Sequence, residues 1–131
     1  MEKHVSSYDN RADYRRVFSQ RYVVKSAKML EEKGVFVKVV NMFTWKPIDD
    51  ELIIRSAKET GAIVTVENHN YINGLGSAVA EVLVENYPVP MGRIGSKDRF
   101  GQVGSVDFLQ KEYEMTADDI IKKAEQVIKR K

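Results

Sequence analysis

The stretch "AIVTV", residues 62–66, is apolar at nearly every position and constrains the fold more than any other part of the chain. A strand with one face in water alternates apolar and polar residues, whereas a strand that is covered on both faces is apolar throughout. Helical patterns precede and follow this stretch. The sequence therefore predicts a buried strand in a mostly parallel sheet, with helices on both of its faces.

Patterns on the N-terminal side of this strand support the same architecture. A helical pattern ends at Gly34, and residues 35–43, rich in β-branched and aromatic side chains, predict a strand. Asp49 then caps a helix whose first turn is acidic and which ends at Gly61. Strand and helix thus alternate with short connections.

The alternation continues to the C-terminus. Residues 75–86 predict a buried helix, residues 89–95 a short strand and residues 106–111 a short helical turn. Thr116 and Asp119 form a capping pair that opens a last amphipathic helix. We expect seven residues of these elements in the core: Val64, Val66, Val79, Val82, Leu83, Ile121 and Val127.

Composition excludes several classes of protein. The chain has 131 residues, which suits one domain, and its net charge of +2 does not favour nucleic-acid binding. Without cysteine there is no disulfide, thiolate catalysis or cysteine-ligated zinc, and two histidines make a histidine-rich metal site unexpected. No apolar stretch reaches the roughly 18 residues of a membrane span, and the start lacks a signal-peptide core. We expect a cytoplasmic protein.

The first 16 residues are polar and charged without a clear period. They predict an irregular or loosely ordered segment, followed by a single domain over residues 17–131.

Two glycines follow the apolar strand in "NGLGSAV". Val79 stands where a dinucleotide fingerprint has its third glycine, and the approach from Val66 is too long for a Rossmann turn. The favoured interpretation is that the glycines let a helix start close to neighbouring backbone. The alternative is an anion site at the helix start, formed by Gly74, Gly76 and Ser77.

His69 lies between Glu67 and Asn70, past the predicted end of the strand. It could act as a general base with Glu67 as its orienting carboxylate. No serine or cysteine nucleophile stands beside it in sequence, so we favour a polar contact loop.

The loop "KDRFGQVG" places Asp98, Arg99 and Phe100 between glycines. An arginine beside an aromatic residue is typical of an interface, and we expect one here together with His69. A salt bridge that pins the loop is the alternative.

Four segments, taken together, resemble the C-terminal domain of transketolase. They are "VKVVNMFTWKPIDDELI", "GAIVTVENHNYINGLGSAVAEVL", "VPMGRIGSKDRFG" and "TADDIIKKA", in this order. The chain is most similar to the C-terminal subunit of split transketolases. The related domains of deoxyxylulose-phosphate synthase and of 2-oxoacid dehydrogenase β subunits match less well.

The resemblance implies a three-layer α/β/α domain with a mostly parallel five-stranded sheet. It implies a non-catalytic assembly domain of a dimeric enzyme, which transfers two-carbon ketol units between sugar phosphates with thiamine diphosphate and Mg²⁺. The family binds thiamine diphosphate and Mg²⁺ on the domains that precede this one. Its metal-diphosphate motif begins Gly-Asp-Gly, and this tripeptide does not occur here. We therefore expect no catalytic, cofactor or metal residue on this chain, which alone should be inactive, and a catalytic N-terminal subunit or domain as its partner.

The chain departs from the family where the first strand is expected. The residues before the first helix, "NRADYRRVFSQRYVVK", contain no apolar run that ends in glycine. We expect this strand to be missing or altered, which would leave sheet edges open to another chain. A different class of function also stays open, namely a stand-alone module that binds a phosphate-bearing ligand or a partner protein.

Overall fold

The computed structural model describes residues 3–9 and 18–131, with side chains from residue 21 onward. Four parallel strands form one sheet in the order β2-β1-β3-β4. The strands are β1 (Lys3–Asp9), β2 (Val35–Asn41), β3 (Ile63–Asn70) and β4 (Met91–Ser96). The helices are α1 (Phe18–Glu32), α2 (Asp50–Thr60), α3 (Leu75–Asn86), α4 (Val106–Glu112) and α5 (Ala117–Ile128).

Helices cover both faces of the sheet. One core cluster joins α1 and α5 to Val64, Val66 and Ile94 of the sheet, and the other joins α2 and α3 to Val40 and Ile63. The predicted three-layer α/β/α fold is confirmed. All seven residues that the sequence predicts for the core are buried.

Local side-chain chemistry fixes the helix ends as predicted. Asp49 accepts a hydrogen bond from the N–H of Leu52 (2.9 Å), and Gly61 ends α2 in the left-handed conformation at φ 67°. Thr116 and Asp119 complete the capping box of α5, in which each side chain accepts a hydrogen bond from the other residue's backbone N–H.

The expectation for the N-terminal segment is wrong at residues 3–9, which form β1 inside the sheet. β1 pairs with β2 from Lys3–Val35 to Asp9–Asn41, and with β3 from Ser6–Ile63 to Tyr8–Thr65. Backbone pairing on both sides holds this strand, and a polar sequence such as "KHVSSYD" does not reveal such pairing. The first strand is thus present with an altered, polar sequence, and it precedes the segment in which the resemblance led us to look for it.

Two further expectations need correction. The resemblance implies five strands, whereas the described residues form four. The strand predicted to end at residue 66 continues as β3 to Asn70, with a register shift between Val66 and Asn70. No helix within residues 18–131 is long and apolar enough to cross a membrane.

Candidate functional site

The polar residues singled out in the sequence meet at the carboxyl ends of β3 and β4. Asn70 pairs with Ser96 there, and the N–H of Tyr71 donates to the carbonyl of Ser96 (3.1 Å). Open α/β sheets bind their ligands at this edge. The start of α3, the end of β3 and the loop after β4 all lie in this region.

The side chain of Glu67, a residue of β3, lies at the start of α3. Its side chain is 6% exposed, and its Oε2 accepts a hydrogen bond from the N–H of Gly76 (3.3 Å). A Cβ atom at Gly74 would overlap the Glu67 carboxylate, so the glycine provides the space for it. Glu67 is therefore the anion that this helix start receives, since free N–H groups and the helix dipole favour negative charge there.

The environment of Glu67 raises the pKa of its carboxyl group. Burial is the largest cause, because it disfavours the charged form. The N–H groups of Gly76 and Leu75, and then the charges of His69 and Arg93, oppose it by stabilising the carboxylate. The pairing of Glu67 with α3 also differs from the role considered for it in the sequence, which was to orient His69.

The three residues of the possible anion site already have partners within the chain. Gly74 borders the Glu67 carboxylate and Gly76 donates to it. The Ser77 hydroxyl accepts from the N–H of Asn73 (2.9 Å) and donates to the carbonyl of Tyr71 (3.3 Å). A phosphate would have to displace Glu67, so binding of an external anion here stays a prediction.

His69 is exposed near the end of β3, not in a loop as expected. Its Nδ1 lies 3.1 Å from the carbonyl oxygen of Asn70. This contact is with backbone and brings no nucleophile to the imidazole. Its place in an interface stays a prediction.

The loop over residues 97–105 is fastened at several points. Asp98 Oδ1 lies 3.5 Å from Asn70 Nδ2. Arg99 Nη2 donates to Glu112 Oε1 (2.8 Å), and its guanidinium carbon lies 4.3 Å from the centre of the Tyr113 ring. The hydrogen bond to Glu112 is the main cause that raises the pKa of Arg99. The alternative of a pinned loop is thus correct for Arg99.

Phe100 is presented by this pinned backbone and is 97% exposed. The Tyr113 hydroxyl donates to the carbonyl of Phe100 (3.3 Å) and accepts from the N–H of Gln102 (3.0 Å). Val103 is fully exposed in the same loop. Sequence reasoning missed Tyr113, whose distant position in the chain gave no signal of this contact.

The described residues offer no ready metal site. No group of three or more His, Asp or Glu side chains among them is placed to hold an ion. These residues therefore do not fit the Mg²⁺–diphosphate group that the resemblance implies for the complete enzyme.

Comparison with known proteins identifies the domain. Residues 20–120 match the model of the family described as "Transketolase, C-terminal domain". This chain belongs to that family. The transketolase C-terminal domain seen here also matches a solved structure titled "Split gene transketolase, inactive beta4 tetramer", with a TM-score of 0.84, 38% identity and coverage of 98% of this chain and 39% of that one.

Two relatives show which members of the family the chain is similar to. The chain is 47% identical over 106 residues to the 6-deoxy-6-sulfo-D-fructose transketolase subunit SqwH of Clostridium sp., with coverage of 81% of this chain and 33% of the relative. It is 42% identical over 104 residues to the 1-deoxy-D-xylulose-5-phosphate synthase of Heliobacterium modesticaldum, with coverage of 79% and 16%. The chain thus spans a third or less of the length of these two relatives.

Proposed function

We propose that this chain is the non-catalytic, C-terminal assembly part of a transketolase-type enzyme. The complete enzyme transfers two-carbon ketol units between sugar phosphates. The observation that carries the proposal is the similarity to the split-gene transketolase over 98% of the chain, at a TM-score of 0.84. The relative SqwH, which is named as a transketolase subunit, supports it at 47% identity.

Thiamine diphosphate and Mg²⁺ belong, in this proposal, to the other part of the enzyme. The chain contains no Gly-Asp-Gly tripeptide, and its described residues do not assemble a metal-binding cluster. In this proposal the chain by itself neither binds the cofactor nor transfers ketol groups. Its role is to stabilise the assembled enzyme.

The surface around the loop over residues 97–105 is the proposed contact with the catalytic part or with a second copy in a homodimer. Phe100 and Val103 present exposed apolar side chains on a backbone that Tyr113 and Arg99 hold in place. A fixed aromatic anchor loses little conformational entropy on binding, which favours association. We include Asp98 and His69 in this contact, because Asp98 lies 3.5 Å from the side chain of Asn70, the neighbour of the exposed His69.

Reconstitution tests the proposal. The chain is mixed with the catalytic N-terminal subunit, thiamine diphosphate and Mg²⁺, and ketol transfer between sugar phosphates is measured. We expect activity only in the mixture, and a reduced yield of complex with Phe100→Ala. Val84→Ala is the matched control, because Val84 is an exposed apolar residue of α3 outside the loop.

The same mixture with pyruvate added separates the two activities within the family, because a 1-deoxy sugar needs a two-carbon unit with a methyl group, which pyruvate supplies on losing CO2 and a ketol donor does not. Formation of deoxyxylulose phosphate without ketol transfer would assign the chain to the synthases, to which it is also similar. Activity of the chain without its partner would refute the proposed division of labour.

A further inference from the structure

A cleft of about 330 Å³ lies between the carboxyl end of β3 and the short helix α4. Its lining is mainly apolar, with side chains from Val66, Val106, Leu109 and Met115. Sites for small groups usually combine such a lining with a few polar atoms that fix orientation. Five residues with polar side-chain groups line this cleft as well: Glu67, Asn68, Ser96, Gln110 and Tyr113.

Gln110 is the buried polar residue of the cleft that lacks a partner. It is 7% exposed on a helix whose other side chains face water or are half-buried. Its Oε1 is enclosed and no donor among the described residues reaches it, whereas the Glu67 carboxylate is turned to the start of α3. Leaving a buried acceptor unpaired is costly, so this atom points to a missing group.

The chemistry of Gln110 defines the missing group. A glutamine amide oxygen accepts hydrogen bonds, so the group must be a donor. The apolar lining requires that the donor be carried on an apolar body. Tryptophan and tyrosine side chains combine an apolar ring with one N–H or O–H donor, and both are enriched at interfaces for this reason.

The cleft is also continuous with the exposed loop. Tyr113 lines the cleft and holds the loop backbone through the carbonyl of Phe100 and the N–H of Gln102. Val106 lines the cleft and is itself 45% exposed at its rim. A partner that covers Phe100 and Val103 therefore passes over the opening.

We propose that this cleft is the anchor site for a tryptophan or tyrosine side chain of the partner protein. The partner's identity as the catalytic part of the enzyme rests on the function proposed above. The anchored ring fills the space between α4 and the sheet, and its donor reaches Gln110 Oε1. Energetic hot spots of interfaces have this form, an aromatic residue in a desolvated pocket.

Binding of a single-residue probe tests the site directly. The chain with labelled methyl groups is titrated with N-acetyl-tryptophanamide and, separately, with N-acetyl-phenylalaninamide, which lacks the ring donor. We expect saturable shifts confined to the methyl groups of Val66, Val106, Leu109 and Met115. The tryptophan probe should bind about fivefold more tightly, the effect of one neutral hydrogen bond. Unsaturable shifts spread over the surface would overturn the proposal.

Two variants identify the cleft as the binding site. Gln110→Leu removes the acceptor and keeps the apolar lining, so the preference for tryptophan should fall about fivefold. Gln126→Leu, on α5 outside the cleft, should preserve it. Val106→Lys places a solvated side chain at the rim and should abolish saturable binding without burying a charge. Saturable binding retained by Val106→Lys would refute the proposal even if Gln110→Leu fails to fold.

Reconstitution separates this inference from the proposed function. An active complex together with a cleft that does not bind the tryptophan probe overturns the anchor site alone. If the cleft binds the probe but the chain never assembles with the catalytic subunit, the proposed function is wrong, and so is the assignment of a partner protein to the cleft. An active complex whose yield falls with both Val106→Lys and Gln110→Leu, but not with Gln126→Leu, supports both.

Discussion

At the scale of single residues, Glu67 binds the start of a helix, whereas the sequence suggested that it could orient His69 as a general base. It follows an apolar strand and precedes a histidine, yet its carboxylate faces the N–H of Gly76 at the start of α3. Burial opposes its charge while the helix start favours it, and burial is the larger effect on its pKa.

Because burial raises the pKa of Glu67 in the folded state, the folded chain binds this proton more tightly than the unfolded chain does. The contribution to stability is present below the unfolded pKa of about 4.3 and is lost as pH rises through the folded pKa. We therefore expect the free energy of unfolding of the natural chain, relative to Glu67→Gln, to fall as pH rises from 4 to 7. Urea unfolding of both proteins at several pH values measures this difference in the free energy of unfolding. Glu81→Gln, an exposed change on α3, should show no such trend, and parallel curves for Glu67→Gln would contradict the prediction.

Leu83 and Val84 are neighbours on α3 with opposite environments, 3% and 71% exposed. Leu83→Ala removes buried methyl groups and leaves a cavity, which should lower the free energy of unfolding by about 2–5 kcal/mol. Val84→Ala should change it by no more than about 0.5 kcal/mol. Denaturant unfolding of both variants provides the comparison. Similar small losses in both variants would show that Leu83 does not contribute to the core as expected.

At the scale of elements, β1 is the strand on which the sheet depends. It pairs with β2 along its whole length and with β3 at Ser6, Ser7 and Tyr8. Without it, two buried strand edges would face each other unpaired, because a sheet interior has no water to replace the lost hydrogen bonds.

A proline in β1 tests this dependence. Ser6 pairs with Lys38 on one side and with Ile63 on the other, so Ser6→Pro removes a ladder donor from a central strand. We expect a large loss of stability, seen as a lower midpoint of thermal unfolding by circular dichroism. Ser6→Ala keeps the backbone donor and is the control for the loss of that donor. An unchanged midpoint in Ser6→Pro would mean that β1 does not carry the sheet.

At the scale of the whole molecule, the domain presents one surface where an exposed loop and a cleft meet. Phe100 protrudes from a backbone held by Tyr113, and the same tyrosine lines the cleft. Fixed aromatic residues beside a pocket are typical of protein interfaces. The proposed assembly role is therefore a property of this surface.

Sedimentation equilibrium tests the surface in solution. We expect species heavier than the 15.0 kDa chain at high micromolar concentration, or on addition of the catalytic subunit, and a shift towards the monomer with Phe100→Ala. The substitution should leave the free energy of unfolding unchanged, because Phe100 is 97% exposed. A 15.0 kDa species in both conditions, unaffected by Phe100→Ala, would contradict the prediction.

The sequence by itself determined the features that depend on short-range patterns. The nearly continuous apolar run at residues 62–66 indicated the parallel sheet, because burial on both faces favours such a run. Asp49, Gly61 and the pair Thr116–Asp119 marked helix ends correctly, because a cap acts within a single turn. The buried positions followed from the same periodicities.

Only the tertiary structure decided the features that join distant parts of the chain. β1 is fixed by backbone pairing with strands whose partner residues lie about 30 or more positions away, and its polar sequence carries no trace of that pairing. Glu67 finds its partner at the start of the next helix, and Gln110 of α4 lines a cleft together with residues of β3. Backbone hydrogen bonds and packing between separate elements depend on the topology of the chain, which local patterns do not specify.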